Sequence, residues 1–165
     1  MSMITKTYQA IASLLLCVCA AFGTAFSNPS SPGYKVEVFA EGLDHPWGLA
    51  LLPENEMIFT ERGGRLRIIR NGVLDPEPIA GVPPVQLKKQ TGLYDVVAHP
   101  KFAENRLIYL SFVHKDEDVN QIRVVRARLE GNSLADLEVV FDADPPTPTP
   151  TQLGGRMTFL ADGTL

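Results

Sequence analysis

Cysteine is almost absent from this chain of 165 residues, and the only two, Cys17 and Cys19, fall within the first 27. No thiol follows them. Disulfides, thiolate metal sites and cysteine nucleophiles are therefore excluded for residues 28–165. Long blocks of Lys and Arg are missing too. With 15 basic against 19 acidic residues the net charge is −4, which lacks the basic footprint of a nucleic-acid binder. The longest apolar run, Ile11 to Ala21, is too short to cross a bilayer as a stable helix. Beyond it no helical stripe of apolar residues stands out. Tryptophan occurs once, at Trp47.

Export signals, turns and short strands are present. Lys6 precedes the apolar run, and small residues follow at Gly23, Thr24, Ala25 and Ser27. That order reads as a secretory signal peptide over residues 1–27, cleaved after Gly23 or after Ser27; an uncleaved anchor is the alternative. Cleavage removes Lys6 and no acidic residue, taking the charge from −4 to −5. The expected location is periplasmic or secreted, with no stable membrane span after cleavage. Residues 28–33 (Asn-Pro-Ser-Ser-Pro-Gly) read as a linker. From Tyr34 to Phe39 apolar and polar residues alternate, which predicts a strand with one buried face.

The chain then repeats itself. One unit runs from Gly48 to Thr60, a second opens at Gly92 and continues through Arg106 to Leu110, and a third opens at Gly155. Each joins a glycine, an apolar strand, a polar turn and a second apolar strand. Asp162-Gly163 is a strong hairpin-turn signal. Gly48 and Gly92 lie 44 residues apart, the length of a four-stranded propeller blade; Gly92 and Gly155 lie 63 apart. The excess is expected in loops at Lys115–Asn120 and Asp142–Thr151. Further strands are expected at Arg65–Arg70, Gln121–Leu129 and Leu137–Phe141. A β-sandwich is the alternative. A closed propeller needs about 4–8 blades, whereas two blades and the start of a third are in view. The chain therefore reads as an N-terminal fragment.

Five segments in order carry a family resemblance: His45-Pro46-Trp47-Gly48-Leu49-Ala50, Phe59-Thr60-Glu61-Arg62-Gly63-Gly64-Arg65-Leu66, Gln90-Thr91-Gly92-Leu93-Tyr94-Asp95-Val96 with His99-Pro100-Lys101-Phe102, Ala103 to Ser111, and Gly154-Gly155-Arg156-Met157-Thr158-Phe159. Together they resemble the glucose/sorbosone (aldose) dehydrogenases that use pyrroloquinoline quinone (PQQ). The resemblance implies an all-β, six-bladed β-propeller, with about two blades and the start of a third in residues 34–165. It also implies PQQ and calcium as cofactors, with most of their contacts beyond this chain, and a sugar substrate oxidised at its anomeric carbon to the lactone. The electron acceptor is not implied.

Two family positions fall inside the chain. Gln90 matches the glutamine that reaches the substrate hydroxyls, and its amide both donates and accepts. Gln152 occupies the position of the family's general-base histidine, in Gln152-Leu153-Gly154-Gly155-Arg156. An amide cannot take up a proton near neutral pH. Activity therefore needs a base from elsewhere or is impaired, and residues 28–165 alone are expected to show no turnover. A non-catalytic propeller that binds carbohydrate or protein is the alternative function. A calcium-dependent lactonase is a third reading, but no convergent Asp/Asn/Glu cluster supports it.

The other residues have plainer expectations. His99 and His45 sit in turns, His99 with a structural hydrogen bond and His45 in the extended backbone that precedes a proline. His114 falls in a charged, solvated loop with Lys115, Asp116, Glu117 and Asp118, which has no calcium-loop pattern, so no metal is assigned there. Arg156 either fixes a strand by an ion pair or offers its fork to an anion. Trp47 is expected in a blade core.

Overall fold

The computed structural model describes residues 33–116, 119–151 and 153–165. The expected signal peptide (residues 1–27), most of the expected linker and Gln152 lie outside the described residues. Two compact units divide the chain, Met1–Glu37 and Val38–Leu165. In the first, described from Gly33 onward, the backbone is neither helix nor strand, and Lys35 pairs with Glu37.

The second unit holds two four-stranded antiparallel sheets, each a meander in chain order. The first is β1 (Pro46–Leu52), β2 (Glu56–Glu61), β3 (Arg65–Arg70) and β4 (Val73–Leu74). The second is β5 (Leu93–Ala98), β6 (Leu107–Asp116), β7 (Val119–Glu130) and β8 (Ser133–Asp142). A single helical turn, α1 (Phe102–Asn105), sits between β5 and β6 and ends at Arg106 in the left-handed region. Turn chemistry dictates the hairpins. Asn71-Gly72, both at positive φ (51° and 77°), make the tight turn that suits strand twist, and Glu54-Asn55 do the same between β1 and β2 (both 60°).

Apolar faces of the two sheets meet in one core. Ile58, Leu66 and Ile68 come from the first; Leu93, Val96, Ile108, Leu110 and Phe112 come from the second. Each is fully buried, which is worth about 1.5–3 kcal/mol per side chain. The connector after β4 ties the sheets together: Ile79 N–H bonds Leu66 C=O (2.8 Å), and Ala80 exchanges bonds with Asn132 and Leu134 (2.9 Å each).

Several expectations change. The strand expected at Tyr34–Phe39 does not form: Tyr34 and Val36 are exposed, as are Val38 and Phe39, and none has a ladder partner among the described residues. Alternation supplies a face to bury but no backbone partner, and a strand needs both. Lys115–Asn120 is no simple loop, because Lys115 pairs with Asn120 and Asp116 with Val119. His114 accordingly lies in β6 opposite Gln121, not in a solvated loop. It lines a cavity of about 340 Å³ between the second sheet and the connector before β5, with Phe112, Arg123 and Gln86. His45 has φ 50°, outside the extended backbone expected before proline.

Candidate active site

The repeat is built on a hydroxyl. In β1 the register slips between Pro46 and Leu49, and in β5 between Leu93 and Val96. Each bulge frees an N–H inside the sheet, and a buried free N–H needs an acceptor. Gly48 N–H finds Thr60 Oγ1 on β2 (2.9 Å), and Asp95 N–H finds Ser111 Oγ on β6 (3.1 Å). Both hydroxyls are completely buried and pass the bond on to the next repeat: Thr60 donates to Tyr94 C=O, and Ser111 donates to Gly155 C=O.

These bonds set the true equivalence. Gly48 corresponds to Asp95 and then Arg156, while Trp47 corresponds to Tyr94 and then Gly155. The repeat spacings are thus 47 and 61 residues rather than 44 and 63. Gly92, aligned with Gly48 by sequence, does another job. A Cβ there would lie 2.2 Å from Arg62 O, at φ +151°. Only glycine lets the loop before β5 press against the turn after β2.

That loop carries Gln90. Thr91, fully buried, closes it by accepting Lys88 N–H and donating to Lys88 C=O, both at 2.8 Å. Arg62 secures it twice: its guanidinium donates to Lys89 C=O (2.6 Å), and its C=O accepts Leu93 N–H (2.9 Å). Tyr94 OH donates to Gln90 C=O (3.0 Å). Burial pushes the Tyr94 phenol above its ordinary value, against a smaller opposing pull from Arg62. Gln90 itself is exposed, just before β5 begins.

Beside it lies a group of two tilted aromatic rings and a cation. The Trp47 and Tyr94 rings are 5.2 Å apart, and the Arg156 guanidinium stands 4.9 Å from the Trp47 ring centre. Trp47 is therefore not a core residue; it is 37% exposed. Arg156 takes the strand-fixing role, pairing with Asp95 (3.2 Å). His99 is structural, as expected. Its Nδ1 accepts Lys101 N–H (3.0 Å) and meets Asn105 Nδ2 (2.9 Å), and its ring packs on Tyr109 and Phe159. Asp162-Gly163 forms a turn, closed by Gly163 N–H to Leu160 C=O (3.0 Å), but no strand flanks it among residues 153–165, so the expected hairpin is not formed.

Thr60, Ser111, Tyr94 and Asp95 received no role from the sequence. For Asp95 a signal existed: a carboxylate in the apolar run Leu93-Tyr94-Asp95-Val96-Val97 must be buried with partners or not form a strand.

Residues 43–165 match the family model described as glucose/sorbosone dehydrogenase. An uncharacterised protein of Synechocystis is 43% identical over 144 residues, which is 82% of this chain and 35% of that protein. An aldose sugar dehydrogenase of Escherichia coli is 37% identical over 155 residues, 92% of this chain and 40% of that one. The PQQ-bound aldose sugar dehydrogenase of Streptomyces coelicolor superposes with a TM-score of 0.65 at 25% identity, over 79% of this chain and 39% of that structure. The chain thus spans 35% and 40% of the length of these two curated relatives.

Proposed function

Because the chain belongs to the glucose/sorbosone dehydrogenase family, we propose that it contributes two adjacent blades to an enzyme that oxidises an aldose at its anomeric carbon to the lactone, with PQQ as cofactor and calcium beside it. The fold class is all-β, of the six-bladed propeller family. One observation carries the functional reading: the Gln90 loop is locked just before β5 by Arg62 and Tyr94, and Tyr94 packs on an exposed tryptophan that carries a cation.

A planar quinone bearing carboxylates asks for flat walls and cationic edges. Trp47, 37% exposed, and Arg156, whose side chain is 68% exposed, supply one of each and would hold one edge of it, with the buried Tyr94 ring backing Trp47. When bound, the quinone supplies the electrophilic carbonyl carbon that accepts hydride from the sugar. Gln90 would orient the sugar, its amide accepting from one hydroxyl and donating to another. Among the described residues no group of three His, Cys, Asp or Glu side chains could hold a metal ion, so calcium is assigned no ligand. The proposed location, periplasmic or secreted, rests on the signal-like pattern of residues 1–27.

Gln152 shapes the alternative. A glutamine at the base position favours a propeller that binds carbohydrate or protein without turnover. The test is the full-length gene product loaded with PQQ and Ca²⁺, assayed for sugar-dependent dye reduction. Gln152→His is expected to raise the rate by about 10²-fold or more, the usual contribution of a positioned base. Absence of turnover in both forms supports the binding module.

A further inference from the structure

We propose that Asp95 is the positioning residue of this site, fixing the Gly154–Met157 segment against β5 and holding the Arg156 guanidinium over Trp47. The proposal rests on the reading that Trp47 and Arg156 form one edge of the cofactor site. Asp95 lies in β5 with its side chain 1% exposed. Its carboxylate spends every contact on backbone and a cation. Oδ2 accepts Met157 N–H (2.9 Å); Oδ1 accepts Val96 N–H (3.1 Å) and an Arg156 guanidinium N–H (3.2 Å). Charge-assisted bonds of this kind are about twice as strong as neutral ones.

Three segments converge on that carboxylate. Arg156, gripped by Asp95, stands over Trp47 of β1, and Trp47 packs on Tyr94 of β5. Gly48 is cut away to admit it: a Cβ there would lie 2.6 Å from Asp95 Oδ1 and 2.8 Å from its Cα. Ser111 adds a second tether by donating to Gly155 C=O. Residues 155 and 157 are thus each bonded to the second sheet, and residue 156 is held through its side chain.

Asp95→Asn keeps size and shape but removes the charge. Two readouts are taken on the full-length gene product. One is deuterium exchange of peptides covering residues 153–159; the other is the fluorine resonance of 5-fluorotryptophan at position 47, assigned with Trp47→Phe. Exchange at Met157 is expected to speed up about tenfold relative to β2 and β3, and the Trp47 resonance to move. Arg156→Gln is expected to move the Trp47 resonance while leaving Met157 protected. Val96→Ala, which loosens the same strand without touching the ion pair, is expected to leave the resonance in place. Unchanged Met157 exchange in Asp95→Asn, or an unmoved Trp47 resonance in Arg156→Gln, overturns the proposal. Should Asp95→Asn fail to fold, Arg156→Gln decides it. None of these readouts uses sugar turnover, so failure of the dehydrogenase reading and failure of this one are separately visible.

Discussion

Replacing Thr60 by valine tests whether the buried hydroxyl is what joins one repeat to the next. Valine has nearly the same shape, so no cavity opens. What disappears is one acceptor for Gly48 N–H and one donor for Tyr94 C=O, in a position with no exposed surface. Leaving a buried polar group without a partner costs about 1–3 kcal/mol, so two such groups cost about 2–6 kcal/mol. Burying a methyl in place of a hydroxyl returns about 1 kcal/mol. The net expected loss is about 3 kcal/mol. In a protein of 150–250 residues that lowers Tm by about 6–12 °C. Thr60→Ser keeps both bonds and loses one methyl, for about 1 kcal/mol or 2–4 °C. Urea unfolding followed by circular dichroism measures both, with an unchanged m-value confirming that stability alone has moved. If the valine variant is as stable as the serine variant, the hydroxyl does not couple the repeats and the equivalence of Gly48, Asp95 and Arg156 has no energetic basis.

Gly92→Ala is expected to destabilise by more than about 2 kcal/mol, since a Cβ would overlap Arg62 O at 2.2 Å and φ +151° suits glycine; a thermal melt and faster exchange of Leu93 N–H would register it. Asp162 should titrate below its ordinary 3.8, first because Thr164 N–H donates to the carboxylate and next because the Thr164 hydroxyl does. A depressed folded-state pKa means that the contribution to the turn is complete above the unfolded value and is lost as pH falls through the folded one. In an NMR titration Thr164→Ala should therefore move the Asp162 midpoint upward; an unmoved midpoint would refute the bond. In the Gln152→His enzyme, sugar oxidation should rise with pH through the ordinary histidine range, about 6.5, as the imidazole loses its proton and becomes able to act as base.

Much of the architecture was legible before any coordinates. Strand β3 falls at Arg65–Arg70 as expected, and β7 and β8 contain the expected segments Gln121–Leu129 and Leu137–Phe141. Short-range rules suffice there, because a turn signal and an alternating run determine a hairpin locally. The family, too, was legible from five short segments in order. The candidate site was half visible: Gln90 and its loop were picked out, but not what holds them.

Sequence by itself determined that the chain is built of β-hairpin repeats, that it carries no thiol after residue 27, and that glutamine stands at positions 90 and 152. Tertiary structure decided which residues are equivalent. A bulge shifts pairing by a residue or more without any distinctive local composition, so Gly92 looked like the partner of Gly48 when Asp95 holds that place. Tertiary structure also decided the fate of Tyr34–Phe39, since alternation cannot reveal whether a partner strand exists. The pairing of Asp95 with Arg156 and Met157 spans 61 and 62 residues, a separation at which only the packed fold brings charge to charge.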